Sequence, residues 1–167
     1  MRKILLSEQA IYHGDIKMPE GWEIDRNHLS GYILQSNIRD SEFLFSRTWD
    51  KLNSYLVEHI RLKYKIQLVS KKTWGNIYKP TETTEPLLNI DPVDLKNAPD
   101  YIVLYGVLVK DCMVHIHYDD NRRKGRLWNI PLSNNSFVMF PSTNLYHLSN
   151  KQSDSLNFVQ TITYEFV

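Results

Sequence analysis

From Trp49 onward, apolar residues return every three or four positions, at Trp49, Leu52, Leu56, Ile60 and Tyr64, with Lys51, Glu58, Arg61 and Lys65 interleaved. That period predicts an amphipathic helix over 49–65. Ser46 or Thr48 stands where an N-cap is needed, and Asp50 falls in the first turn, where a carboxylate favours the helix dipole. Elsewhere the period is two. Runs at 66–69, 74–78, 101–109, 113–118, 126–130, 137–140 and 157–166 predict strands, and the short links among the later ones predict antiparallel hairpins closing into a barrel or sandwich. The first 47 residues read as strand-like pieces, Gly31-Tyr32-Ile33-Leu34 among them, divided by turn signals at His13-Gly14-Asp15 and Pro19-Glu20-Gly21. The stretch 80–100 holds four prolines and no clear period, which predicts a long loop of the kind that often carries function.

Composition narrows the class. A chain of 167 residues that is 42% hydrophobic can bury one good core but is too short for two ordinary domains. One domain over 1–167 is expected, with N-terminal strands and a supporting helix over about 1–70 and the sheet core over about 71–167. Ten tyrosines and four tryptophans exceed what a helical bundle needs and point to a sheet-rich core. Twenty basic against nineteen acidic residues leave a net charge of +1, so no global field draws the protein to nucleic acid or to an anionic membrane. A single cysteine, Cys112, in an apolar run excludes an internal disulfide and suits a reducing cytoplasm. No run reaches the ~18–20 apolar residues that span a bilayer, and the start is too brief for a signal-peptide core, so a cytoplasmic protein without a membrane partner is expected.

The chemistry-bearing residues cluster late. His115, His117 and Asp119 alternate along one predicted strand and so share a face. Phe140-Pro141-Ser142 closes another strand, the chain turns, and His147 opens the next. Nitrogen and oxygen ligands of this kind suit Fe(II), Zn(II) or Mn(II). Each also has a plainer reading: paired strand histidines commonly make a solvated or hydrogen-bonded face, and Asp91, before Pro92, suits a turn or cap.

The Phe-Pro-Ser turn followed by a histidine resembles the last part of the double-stranded β-helix of Fe(II)- and 2-oxoglutarate-dependent oxygenases, where such a turn precedes the distal metal-binding histidine. The resemblance covers 74–166, and the chain also looks like small oxygenase-like proteins of marine bacteriophages, which would place it in a host cytoplasm. It implies a mainly β, α+β fold with one long helix, a jelly-roll (cupin-like) core of two facing antiparallel sheets, and that helix outside one sheet. It also implies Fe(II) and 2-oxoglutarate as cofactors and a protein side chain or small molecule as the hydroxylated substrate. His117-x-Asp119 lies too near His147 for the several intervening strands of the family at about five to six residues each. Asn89-Ile90-Asp91 lies at the matching interval, with Asn89 where the family has histidine. The implied metal ligands are thus His147 and Asp91, with a third from Asn89, Glu85 or His117.

The sequence departs from the pattern twice. Carboxamide is a weaker ligand than imidazole for such a metal. The stretch 155–163 also carries no basic residue where the family places the arginine that grips 2-oxoglutarate; Lys79 or Arg126 would have to replace it. Two functions therefore stand: an iron-dependent hydroxylase, or a non-catalytic binding or interaction protein of the same fold. The run 119–126 reads as a polar hairpin loop. Its Arg122, Arg123, Lys124 and Arg126 also offer a patch for nucleic acid or an acidic partner, with Tyr118 and Trp128 beside it for stacking. Gly-rich phosphate loops, a nucleophile elbow and paired zinc-spaced cysteines do not occur in the chain.

Overall fold

The computed structural model describes residues 1–5, 9–38, 46–118 and 125–167. The predicted helix forms as α2 (Arg47–Tyr64), capped by Ser46, whose side chain accepts from the Trp49 N–H. Its apolar stripe of Trp49, Leu52, Leu56 and Ile60 is buried.

A second helix, α1 (Arg26–Ile38), occupies part of the region read as strands, so the described residues carry two α-helices where one was expected. Asp25 caps it by accepting from the His28 N–H, and Leu29, Ser30 and Ile33 form its buried face. Gly31 and the β-branched Ile33 disguised the helix. Contact with a strand decides it, because Ile33 packs so tightly on Gly75 that a Cβ there would collide with the Ile33 side chain.

The strands of the described residues form two sheets. The larger has the order β1 (Tyr12–Asp15), β6 (Ser136–Pro141), β3 (Tyr101–Leu108), β8 (Asn157–Phe166) and β2 (Leu68–Tyr78). The smaller has the order β5 (Arg126–Leu132), β4 (Cys112–Tyr118) and β7 (Tyr146–Ser149). All recorded pairings between strands are antiparallel. The segment after β2 runs along the open edge of β7, with bridges Thr83↔Ser149 and Leu87↔Tyr146, so part of the predicted loop behaves as a ragged strand of the small sheet.

Packing forms three layers. Leu29, Ile33, Leu52, Leu56 and Ile60 meet Val103, Tyr105, Phe137, Ile162 and Tyr164 between the helices and the large sheet. Ile102, Leu104, Val114, Ile116, Phe140, Tyr146, Leu148 and Val159 fill the space between the sheets. β3 is buried on both faces, which accounts for its unbroken apolar run. Among the described residues no helix is long and apolar enough to cross a membrane.

Candidate functional site

Buried side chains fill the space between the sheets toward the end of the barrel at which β7 begins. Tyr146 is 2% exposed and points inward with Leu148. Its ring lies 5.0 Å from that of Phe140. Its hydroxyl accepts a 2.6 Å hydrogen bond from the Asn89 carboxamide. Burial pushes the Tyr146 phenol up to about 12, with the Asn89 bond pulling the other way, so the hydroxyl stays neutral at ordinary pH.

His147, one residue on, leaves the opposite face of β7. There its ring stacks on His115, with centroids 4.4 Å apart, and its Nδ1 lies 2.7 Å from His117 Nε2. The structure thus brings together His115, His117 and His147, half of the chain's six histidines, on the outer surface of the small sheet. His115 is held at both nitrogens. Its Nδ1 lies 2.6 Å from Asn129 Oδ1 and its Nε2 lies 2.6 Å from the Ser149 hydroxyl oxygen.

Burial, then the neighbouring His115 and His117, lowers the pKa of His147 below the ordinary histidine value, with Lys151 adding to the effect and Glu85 opposing it. A histidine whose folded pKa is depressed binds fewer protons folded than unfolded, so stability falls as pH drops through about 6.5 toward the folded value. Urea unfolding at pH 7.5 and 5.5 is therefore expected to show a smaller acid-induced loss in His147→Gln than in the wild type. His59, lowered by its own burial, contributes equally to both proteins. An unchanged pH dependence would remove His147 as a source of it.

The other predicted residues lie elsewhere. Asp91 is exposed, and its Oδ1 accepts from the Val93 N–H within its own turn. Arg126 is exposed at the start of β5, while Asp119, Arg122, Arg123 and Lys124 fall outside the described residues. Along β8 the polar groups are spent internally: Asn157 bonds Lys110 and Asn150, Gln160 bonds Thr73, and Thr161 bonds Asn76. Cys112 is buried, with its thiol pushed up to about 12, and is inert as a nucleophile.

Among the described residues, those at this end of the barrel do not fit an iron and 2-oxoglutarate centre. Asn89 and Tyr146 satisfy each other, the His147 ring faces outward, and β8 offers no cation. Among the described residues no group of three or more His, Cys, Asp or Glu is placed to hold a metal ion. Tyr146 itself was missed by reading for ligand residues. The signal was present in the alternation Tyr146, Leu148 against His147, Ser149, which puts the apolar pair inside.

Beside this end lies an open cleft of about 520 Å³. The segment 9–13 forms one wall, and β4 and β5 the other, with Ile116, Tyr118, Arg126 and Trp128 among the lining residues. A second hollow of about 620 Å³ shares Gln9, Tyr118, Arg126 and Asn144 with it.

These strands and layers are those of a known class: the chain has the double-stranded β-helix fold of Fe(II)- and 2-oxoglutarate-dependent oxygenases. The epimerase SnoN of nogalamycin biosynthesis, a non-heme α-ketoglutarate-dependent enzyme, superposes with a TM-score of 0.66 at 8% identity over 95% of this chain and 78% of its own. A Pseudomonas putida prolyl-4-hydroxylase matches with a TM-score of 0.66 at 10% identity, over 95% and 89% of the two chains. A Trichoplax adhaerens prolyl hydroxylase, solved with a hypoxia inducible factor peptide fragment, gives 0.57 at 13% identity over 93% and 83%. At such identities the likeness establishes the fold alone. No protein-family model matches the chain, and no curated protein sequence does.

Proposed function

We propose that the protein is a binding or interaction protein built on the oxygenase fold and lacking iron-dependent hydroxylation. The observation that carries this reading is the 2.6 Å hydrogen bond between Asn89 and Tyr146, which closes the inner end of the barrel with two groups that are poor ligands for Fe(II) when neutral. The polar side chains of β8, each committed to a partner inside the protein, support it from the 2-oxoglutarate side.

The rival reading is hydroxylation of a protein side chain or small molecule with iron held by His147, Asp91 and His117, and its support is the fold itself. Anaerobic calorimetric titration with Fe(II), with and without 2-oxoglutarate, separates the two. The expected result is that 2-oxoglutarate leaves any iron affinity unchanged in the wild type, in Asp91→Asn and in His147→Ala. Micromolar iron binding that tightens with 2-oxoglutarate and is lost in both variants would establish the hydroxylase reading instead.

A further inference from the structure

The inner face of the β4–β5 hairpin changes character along its length. Val114 and Ile130 lie in the core between the sheets, and the paired positions Ile116↔Trp128 and Tyr118↔Arg126 continue the same face outward. Ile116 is fully buried, but Trp128 is 48% exposed and Arg126 is exposed. An indole, a phenol and a guanidinium therefore stand on one two-stranded surface, and they form part of one wall of the 520 Å³ cleft. That volume falls within the range of about 300–1,000 Å³ usual for small-ligand sites.

Among the described lining residues the fixed charge is the Arg126 guanidinium. Among the described residues Arg126 makes no ion pair, and none of those lining this cleft or the hollow beside it is a carboxylate. Asn144, which lines both, donates to the His117 carbonyl through Nδ2, while its Oδ1 is buried with no partner among the described residues.

We infer that this cleft is a binding site for a small planar aromatic anion of about the size of a nucleoside monophosphate. The ring lies against Trp128 and Tyr118, stacking being favourable for any planar π-system. The anionic group meets the Arg126 guanidinium, whose planar fork suits phosphate and carboxylate alike. This inference rests on the reading of the chain as a binding protein and gives that reading its ligand class. Adenosine monophosphate and naphthalene-1-carboxylate represent the two sources of such chemistry, nucleotides and aromatic acids.

The test is fluorescence titration in metal-free buffer, with each of these probes and with two controls: adenosine, which has the ring but no charge, and 2-oxoglutarate, which has the charge but no ring. The expected result is saturable quenching by at least one aromatic anion and none by 2-oxoglutarate. Arg126→Gln should weaken that anion about ten-fold or more while leaving adenosine unchanged. Trp128→Leu should remove the quenching and, by calorimetry, weaken both the anion and adenosine. Preference for one probe assigns the source. Absence of binding by both anions, or equal affinity in wild type and Arg126→Gln, overturns the proposal. Because no iron is present, that failure is distinct from a failure of the binding-protein reading, which only the iron titration reports.

Discussion

Truncating Tyr146 to alanine is expected to cost about 3–5 kcal/mol in urea unfolding, the range for deleting a buried aromatic ring. Tyr146 is among the largest fully buried side chains, and its ring fills the space between Phe140, Ile116 and the segment carrying Asn89. Tyr146→Phe keeps the ring and removes only the hydroxyl, so its cost should be near 1 kcal/mol. Asn89 is half-buried and can turn its carboxamide to water in that variant, and Asn89→Ala should cost no more. The double variant Asn89→Ala/Tyr146→Phe is therefore expected to lose less than the two single losses together, by about the strength of the shared hydrogen bond. Strict additivity would mean that the two groups do not hold each other. A stabilising Tyr146→Ala would mean that the barrel end is an open pocket instead of a packed plug.

The second large effect belongs to a glycine. A Cβ on Gly106 would collide with the Ser133 carbonyl oxygen and come within 3.0 Å of Val109 Cγ2. The obstacle is backbone, and it is tied in place, since the Asn135 N–H donates to the Gly106 carbonyl at 2.9 Å. Gly106→Ala must open the turn between β5 and β6 or shift β3, at a cost of about 1–3 kcal/mol or more. Gly31 is the internal contrast. It lies within α1, and a Cβ there meets nothing within 4 Å, so Gly31→Ala should raise stability by about 0.5–1 kcal/mol through helix propensity. Thermal melting of the two variants side by side should move in opposite directions. Movement in the same direction would show that crowding at Gly106 does not decide its identity.

The Asn89–Tyr146 pair also bears on how such a fold diverges. A ligand imidazole and a buried tyrosine make opposite demands on one interior position. The first needs an open coordination site, the second a closed apolar one with a single polar neighbour. Here Tyr146 and Asn89 fill that interior position, and a cleft lies between β4, β5 and the segment 9–13, where Arg126 and Trp128 are exposed.

The sequence by itself determined the elements whose pattern is local. The three- and four-residue spacing of Trp49, Leu52, Leu56 and Ile60 sufficed for α2, because one buried stripe follows directly from the helical period. The alternation from Asn157 to Phe166 sufficed for β8, which has those bounds. The resemblance carried by the Phe-Pro-Ser turn was enough for the fold class. Tertiary structure decided the rest. It made α1 a helix by packing Leu29 and Ile33 onto the large sheet, against what Gly31 suggested. It also fixed the face of β7. A strand has a period of two, so a one-residue change in how the turn at 142–145 feeds β7 exchanges the inner and outer faces. Pairing of β7 with β4, and with the segment carrying Thr83 and Leu87, sets that register, sending Tyr146 inward to Asn89 and His147 outward to His115 and His117. The ligand-like residues were legible along the chain. Which of them meet was not, because that depends on hydrogen-bond partners dozens of residues away.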